Sequence, residues 1–307
     1  MDCLFSNGKI LLTGEYLVLR GALALALPLQ VGQSLSFDAV SDGGEMLDWA
    51  AYKPDGEWFS ACLSKKDFSI VRTSDVSKAE RLKRIFVEIQ RLNPAAFERK
   101  GRFVFSTKLG FNPDWGFGSS STLVSNMAQW AGVNPYALLA ATFGGSGYDI
   151  ACATASKPIF YKILEDGDRQ VSECAFSPSF SDRLWFVYQG RKKSSAEAVK
   201  AFNVLETKSE DIEKISEISL EVSQTDDFDD FCKLMELHED IVSRNIGCKP
   251  LKNSYPDFEG TIKSLGAWGG DFFLAATRKG SKYVSDCFNS HGLNTIIQYN
   301  NLVRYDR

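Results

Sequence analysis

The chain has 307 residues and a formal net charge of −4. Its hydrophobic and charged fractions, 44% and 24%, are those of an ordinary globular protein and exclude a disordered chain or a fibrous repeat. The weak negative charge argues against nucleic acid or a membrane surface as the main partner.

Cysteine and histidine usage predicts a reducing environment. The seven cysteines are odd in number and scattered, with no Cys-x-x-Cys, and the two histidines lie far from any cysteine pair. We therefore expect neither a disulfide framework nor a zinc site. The most apolar stretch, residues 22–29, is too short to span a bilayer, and no basic segment precedes a long apolar run. These observations favour a cytoplasmic protein.

The first part of the chain contains two charged residues in an apolar setting. Residues 8–31 predict a buried strand, a tight turn at Gly14-Glu15 and a second apolar segment. Lys9 and Glu15 need partners there, unless Lys9 lies on an edge strand and reaches solvent. Beyond them we expect a strand over 34–40, loops between short antiparallel strands over 42–60, a surface helix over 80–92 and a half-buried strand over 102–107.

A glycine-rich loop that leads into a helix is the most informative stretch. Residues 116–121 (GFGSSS) precede a predicted helix over 119–131, whose first amides have no partner inside the helix. Such amides and the helix dipole bind phosphate, and the hydroxyl groups can bond phosphate oxygens or magnesium. Glycine and serine before a helix are equally typical of an ordinary capped loop. The common P-loop nucleotide fold is excluded, because Gly-x-x-x-x-Gly-Lys-Ser/Thr does not occur.

The rest of the chain predicts an α+β protein, because strands and helices mix without strict alternation. We place a domain boundary near residue 182, which gives domains over 1–182 and 183–307. The expected elements are helices over 135–143, 194–205, 210–224, 228–242 and 257–265, strands over 159–163, 184–188, 272–277 and 295–299, and glycine turns at 144–147 and 266–270.

Four segments, taken in order, resemble the motifs of the GHMP kinase superfamily, which includes galactokinase, homoserine kinase, mevalonate kinase and phosphomevalonate kinase. They are Gly8-Lys9 with Gly14-Glu15, the loop at 116–121, the SGYD segment at 146–149 and the glycine turn at 266–270. The resemblance runs from about residue 6 to residue 277. It implies a two-domain α+β fold, with an N-terminal ribosomal-protein-S5-domain-2-like domain and a C-terminal ferredoxin-like domain.

The resemblance also implies roles for individual residues. Asp149 matches the proposed catalytic base, Lys9 its partner, and Ser120 the serine that touches Mg²⁺. A lysine beside Asp149 would keep that carboxylate ionised. The residues implied to bind ATP and its phosphates are Gly116, Phe117, Gly118, Ser119, Ser120, Ser121, Gly266, Gly269 and Gly270. Those implied to bind substrate are Glu15, Ser146, Gly147, Arg191 and Lys192.

Two segments favour the mevalonate and phosphomevalonate branch of the superfamily. The residues around Asp149 resemble the phosphomevalonate kinase form, and Asp271 follows the last glycine turn as in that branch. Arg191 and Lys192 could meet the second charge of a phosphorylated substrate, or form a solvated turn.

Other positions depart from the family pattern. Mevalonate kinases carry a magnesium-binding glutamate ahead of the catalytic Asp, whereas no acid lies between Asp114 and Asp149 here. Metal would then rest on Ser120, the nucleotide phosphates and water. Trp115 and Trp268 stand where the family has small residues, and they could crowd the site or pack against the protein.

These patterns lead to one main hypothesis and two alternatives. The main hypothesis is a kinase that uses ATP and Mg²⁺ to phosphorylate mevalonate or phosphomevalonate in isoprenoid precursor synthesis, with a homodimer left open. The first alternative is a lyase like diphosphomevalonate decarboxylase. The second is a non-catalytic nucleotide-binding member of the fold.

Overall fold

The structure, a computed structural model, describes residues 2–41 and 44–305. Helices and two sheets make it an α+β protein, as predicted. The chain divides into two compact units that are interleaved in sequence. The first unit comprises Met1–Gly8, Val31–Pro113 and Phe117–Thr154, and the second comprises Lys9–Gln30, Asp114–Gly116 and Ala155–Arg307. The predicted boundary near residue 182 separates two domains that are each continuous in the chain, and it stays a prediction.

The first sheet has eight strands in the described part of the chain, of which Met46–Lys53 and Arg102–Leu109 alternate in burial along their length. Its strands are β1 (Asp2–Thr13), β2 (Ala24–Val40), β3 (Met46–Lys53), β4 (Gly56–Ser64), β5 (Ile70–Thr73), β6 (Arg102–Leu109), β7 (Ile159–Ile163) and β8 (Arg169–Glu173). In the first unit their order is β5-β4-β3-β6-β2, with β3 and β6 parallel and the other neighbours antiparallel. The start of β2 pairs with β7 in the second unit, and β7 pairs with β8.

Four helices accompany this sheet in the first unit: α1 (Val76–Leu92), α2 (Ser119–Ala131), α3 (Pro135–Thr142) and α4 (Tyr148–Ala153). Asp75 begins α1 by accepting a hydrogen bond from the amide of Lys78. One face of α1, including Leu82 and Phe86, is buried against sheet residues such as Phe105. The 3.6-residue period of the sequence predicted this face.

The second unit contains the predicted ferredoxin-like arrangement. Its strands are β9 (Leu184–Tyr188), β10 (Thr261–Ser264), β11 (Phe272–Ala276) and β12 (Ile296–Gln298), and its helices are α5 (Ser195–Asn203), α6 (Ser209–Gln224), α7 (Phe228–Ile246) and α8 (Gly280–Ser290). The sheet order is β10-β11-β9-β12, and all three pairings are antiparallel. Two central strands that are apolar throughout, β9 and β11, form its core.

Two expectations about secondary structure were wrong. Residues 257–265 do not form a helix, because Thr261–Ser264 is a buried strand paired with β11. Lys263, the charged residue of this strand, has a buried side chain. Over residues 44–60, β3 and β4 pair antiparallel as expected, but they form one long hairpin in place of short strands separated by loops. Residues 42 and 43 lie outside the described part of the chain.

Two further findings concern membrane-spanning helices and the cysteines. No helix among the described residues is long and apolar enough to cross a membrane. The seven cysteines are free thiols in this structure.

Candidate active site

The glycine-rich loop enters α2 in the first unit with its amides uncapped. Gly118 adopts a left-handed conformation (φ 91°) at the N-cap, and no side chain in the described part of the chain caps the helix. Ser121 is buried and donates to the Gly118 carbonyl oxygen over 2.8 Å, whereas Ser120 is exposed. The Phe117 ring is buried against Phe111, so only its backbone remains for a ligand. Unpartnered amides at a helix start favour an anion.

Buried polar side chains fix the position of α2. Asn126 accepts a hydrogen bond from Ser6 Oγ at 2.9 Å and donates to the Gln33 carbonyl oxygen at 2.8 Å. Thr122 Oγ1 donates to Gln33 Oε1 at 2.8 Å. Because these groups are buried, each bond prevents an unsatisfied polar atom. The first turn of α2 is therefore held rigidly on β1 and β2.

Asp149 lies in the first turn of α4, also in the first unit. Gly147 precedes the helix with φ 93°, and Ser146 and Asp149 are half-buried. Asp149 Oδ1 accepts a hydrogen bond from the Ile150 amide at 3.0 Å. Asn7 of β1 donates to the Cys152 carbonyl oxygen at 3.3 Å and so anchors the helix. The carboxylate thus sits on a short, fixed element.

In the second unit, Lys9 bonds to Gly116, the first residue of the glycine-rich loop. Its Nζ donates to the Gly116 carbonyl oxygen at 2.8 Å. Gly116 has φ 70°, and a Cβ at this position would lie 2.6 Å from the Asp271 carboxyl carbon. Both the conformation and the space therefore require glycine. The predicted pairing of Lys9 with Asp149 stays a prediction.

Asp271, which in the sequence served only to choose the branch of the superfamily, is a buried side chain of this region. It is 7% exposed and has a positive φ of 55°, and its Oδ1 has no hydrogen-bond partner among the described residues. Its backbone amide donates to the Arg191 carbonyl oxygen at 2.8 Å. Burial raises the pKa of Asp271, and the nearby Lys9 ammonium lowers it in part. A buried carboxylate with a spare oxygen and lysines nearby is typical of a functional site.

The predicted glycine turn around residues 266–270 holds its shape by backbone conformation and hydrogen bonds. Gly266 and Gly269 have φ values of 63° and 80°. Tyr16 donates from its hydroxyl to the Ala267 carbonyl oxygen at 2.9 Å, and Gln189 Nε2 donates to Gly270 O at 2.8 Å. The turn is therefore tied both to the segment after β1 and to the end of β9.

The two unusual tryptophans pack within the second unit. Trp268 is 2% exposed, and its Nε1 has no hydrogen-bond partner among the described residues. Trp115 stacks edge-on against Phe272, with ring centroids 5.8 Å apart. These contacts agree with the second of the two possibilities raised by the sequence, that both tryptophans pack against the protein.

A buried cluster of charged residues supports the Gly14-Glu15 turn. Lys263 Nζ forms an ion pair with Glu15 Oε1, and both side chains are at most 1% exposed. The Gly14 amide donates to His238 Nε2 at 2.8 Å, and Glu239 accepts from the Ser264 amide at 2.9 Å. These contacts give Glu15 a structural partner that the sequence did not identify. Its contact with substrate stays a prediction.

Burial sets the protonation states in this cluster. It raises the pKa of Glu15 to about 7, although the Lys263 ammonium lowers it in part. Burial and the Lys263 ammonium hold the pKa of His238 well below its ordinary value, so the imidazole is neutral. Because Nε2 accepts the Gly14 hydrogen bond, the proton lies on Nδ1.

The other predicted substrate contacts are on the surface of the second unit. Arg191 and Lys192 are exposed and follow β9. Lys192 Nζ lies 3.8 Å from the Asp114 carboxylate, at a distance where solvent screens the attraction. The roles of both residues stay predictions.

The predicted site residues are thus distributed over the two units. The first unit holds Phe117, Gly118, Ser119, Ser120, Ser121, Ser146, Gly147 and Asp149. The second unit holds Lys9, Glu15, Gly116, Arg191, Lys192, Gly266, Gly269 and Gly270. Around the start of α2 the described residues offer a metal ion hydroxyl oxygens but no cluster of three ligands. This suits Mg²⁺ only when phosphate oxygens and water complete its shell, which is how that ion commonly binds.

Comparison with known proteins gives contrasting results for sequence and structure. No protein-family model matches the chain, and no curated protein sequence is similar to it. Solved structures match it over nearly its whole length. Mevalonate kinase from Methanococcus jannaschii matches with a TM-score of 0.72 and 17% identity, over 100% of this chain and 98% of that one. The chain has the GHMP kinase fold.

Other GHMP kinase structures match in the same way. Phosphomevalonate kinase from Streptococcus pneumoniae, in complex with phosphomevalonate and AMPPNP, matches with a TM-score of 0.71 and 15% identity, over 95% of this chain and 98% of that one. Lactococcus lactis galactokinase, complexed with galactose, matches with a TM-score of 0.63 and 10% identity, over 99% and 93%. The predicted two-domain GHMP kinase fold is confirmed.

Proposed function

We propose that this protein is a small-molecule kinase that transfers a phosphoryl group from ATP to mevalonate or phosphomevalonate. The observation that carries this proposal is the uncapped start of α2, reached through left-handed Gly118, in a chain with the GHMP kinase fold. Phosphoryl transfer depends mainly on positioning and charge stabilisation, which backbone amides at a helix start supply. The seven free cysteines favour a reducing cytoplasm as its location.

Individual residues then have defined roles in the proposed reaction. The amides of Ser119 and Ser120 bind phosphate oxygens, and Asp149 accepts the proton of the attacking substrate oxygen. Lys9 holds the Gly116 carbonyl, which sets the path of the chain into the loop. Mg²⁺ bound to the nucleotide would neutralise phosphate charge, with the Ser120 hydroxyl as its protein ligand. The glycine turn at 266–270 supports the nucleotide.

An ADP-release assay with mevalonate, phosphomevalonate, homoserine and galactose tests the reaction and its substrate class. We expect turnover with one of the first two, and a loss of kcat by about 100-fold or more in Asp149→Asn. Asp168→Asn is the matched control, because Asp168 lies in an exposed turn. Turnover of another alcohol alone would refute the substrate class, and unchanged kcat in Asp149→Asn would refute the role of that residue.

The two alternatives give different readouts in the same experiment. A decarboxylase would release carbon dioxide from diphosphomevalonate together with ADP. A non-catalytic member would bind ATP and release no ADP with any of the substrates. In a phosphomevalonate kinase, Arg191→Ala should raise KM for phosphomevalonate several-fold and leave KM for ATP unchanged, because the guanidinium would pair with the substrate phosphate.

A further inference from the structure

Three side chains that the proposed kinase reaction does not use converge at the end of α8. Asp257 Oδ2 lies 3.0 Å from His291 Nε2 and 3.9 Å from Cys287 Sγ. One ligand atom from each residue lies within 4.8 Å of the other two. In the described part of the chain, no other group of three His, Cys, Asp or Glu side chains is this close.

The three side chains are held by ordered elements. Cys287 and His291 are four residues apart at the end of α8, so they lie on the same side of the helix. Tyr283, one turn earlier, accepts a hydrogen bond from the Glu259 amide at 2.6 Å and donates to the Asp257 carbonyl oxygen at 3.3 Å. These two bonds fix the turn that carries Asp257 onto the helix.

We propose that Asp257, Cys287 and His291 form a Zn²⁺ site, with water as the fourth ligand. Thiolate, imidazole and carboxylate are the ligands that zinc prefers in proteins. Tetrahedral zinc holds such ligand atoms roughly 3.3–3.7 Å apart, so the observed spacings require only small movements. Asp257 is 53% exposed and His291 32% exposed, which lets a metal ion enter from solvent.

The metal would replace a hydrogen bond and a thiol proton. Without metal, the Asp257 carboxylate lies 3.0 Å from His291 Nε2. Burial and the Asp257 carboxylate raise the pKa of Cys287, and the Lys252 ammonium lowers it in part. Zinc deprotonates a coordinating thiol, so binding releases a proton. The site would join the end of α8 to the turn before β10.

This site differs from the expectation drawn from the sequence. No cysteine pair occurs, and zinc motifs are commonly recognised by such pairs. The available signal is the Cys-x-x-x-His spacing of Cys287 and His291, which places two ligands on one helix face. The third ligand, Asp257, comes from a distant segment and is supplied only by the fold.

Titration of the full-length, reduced protein with Co²⁺ tests the proposal, because thiolate ligation gives a charge-transfer band and tetrahedral geometry gives intense visible bands. We expect one Co²⁺ per chain, displaced by Zn²⁺. Cys287→Ser should abolish the charge-transfer band, and Asp257→Asn and His291→Ala should each weaken Zn²⁺ binding by about 100-fold or more. Cys248→Ser, at an exposed cysteine outside the cluster, and Asp286→Asn, beside Cys287, should bind as the parent protein does.

Folding of the variants is checked by thermal unfolding without metal, where all should match the parent protein. With Zn²⁺, only the parent and the two controls should unfold at a higher temperature. On the parent protein alone, Zn²⁺ should protect Cys287 from alkylation but leave Cys248 reactive. The absence of a charge-transfer band, its persistence in Cys287→Ser, or equal alkylation of Cys287 with and without Zn²⁺ would each overturn the proposal.

Discussion

At the scale of single residues, the Glu15–Lys263 ion pair is the least ordinary feature of the second unit. Both side chains are fully buried, and charged groups are tolerated there only with a partner. We expect Lys263→Met to lower the free energy of unfolding at pH 8 by about 3–5 kcal/mol, because it leaves the Glu15 carboxylate buried without its partner. Glu15→Gln should cost less, because burial opposes the charge that this substitution removes. The double variant should cost clearly less than the sum of the two.

Denaturant unfolding of the parent protein, the two single variants and the double variant measures this double-mutant cycle. The exposed pair Lys282–Asp286 provides the control, since solvent screens it and Asp286→Asn should change little. Additive costs for Glu15→Gln and Lys263→Met would contradict a direct pair.

The protonation of Glu15 predicts a dependence of stability on pH. Its pKa is raised to about 7 in the folded protein, so its contribution is fully present below about pH 4.5 and is lost as the pH rises to about 7. His238 acts in the opposite direction, because its lowered pKa gives a contribution that is present above pH 6.5 and lost as the pH falls. The parent protein must therefore be compared with Glu15→Gln, which removes only the first contribution.

We therefore subtract the free energy of unfolding of Glu15→Gln from that of the parent protein. This difference should fall by an amount on the order of 3 kcal/mol between pH 4.5 and pH 7.5. Urea unfolding at several pH values measures it. A difference that stays constant or rises over this range would show that the carboxyl group of Glu15 is ionised throughout.

Gly116 provides a test of the loop in which steric crowding is separated from backbone strain. Gly116→Ala places a methyl group 2.6 Å from the Asp271 carboxyl carbon, whereas Gly132, with φ 62°, has open space around it. Both alanine variants carry the left-handed strain of about 1 kcal/mol, and only the first adds a clash of about 1–3 kcal/mol. Unfolding free energies of the two variants check this, and equal losses would contradict the packing of Asp271 on the loop.

At the scale of elements, α2 is held both by an apolar face in the core and by buried polar contacts. Asn126 is fully buried and bonds to both Ser6 and Gln33. Asn126→Ala should lower the free energy of unfolding by about 2–3 kcal/mol, because partners of this side chain are left buried and unsatisfied. Arg84→Ala, at an exposed position of α1, should cost less than about 1 kcal/mol. Similar losses in the two variants would show that α2 is held in another way.

The helices and strands of this chain illustrate which local patterns could be predicted. The face of α1 follows from a 3.6-residue apolar period, and β9 follows from a continuous apolar run. Strand β10 could not be predicted in this way, because Lys263 breaks its apolar pattern and takes its counter-charge from a residue 248 positions away. Local pattern therefore fails where a charge is buried by a tertiary contact.

At the scale of the whole molecule, the seven cysteines differ in their exposure to solvent. Cys3 and Cys248 are exposed, Cys232 and Cys287 are half-buried, and Cys62, Cys152 and Cys174 are buried. A thiol reagent should therefore modify two cysteines rapidly in the native protein and all seven after unfolding without reductant. Fewer than seven thiols in the unfolded protein would reveal a disulfide bond, and rapid modification of three buried cysteines would contradict the packing.

The sequence by itself determined the α+β class, most of the elements and the order of the glycine-rich motifs. These depend on local periodicity, backbone conformation and helix termini, which neighbouring residues control. It also indicated that Lys9 and Glu15 need partners, because a charge in an apolar segment is costly wherever it lies.

Only the tertiary structure decided which groups are the partners of Lys9 and Glu15. It paired Lys9 with the Gly116 carbonyl and Glu15 with Lys263, buried Asp271 beside the loop, and brought Asp257 to Cys287 and His291. These contacts join segments that are far apart in the chain, and their energies depend on burial and distance, which no local pattern records.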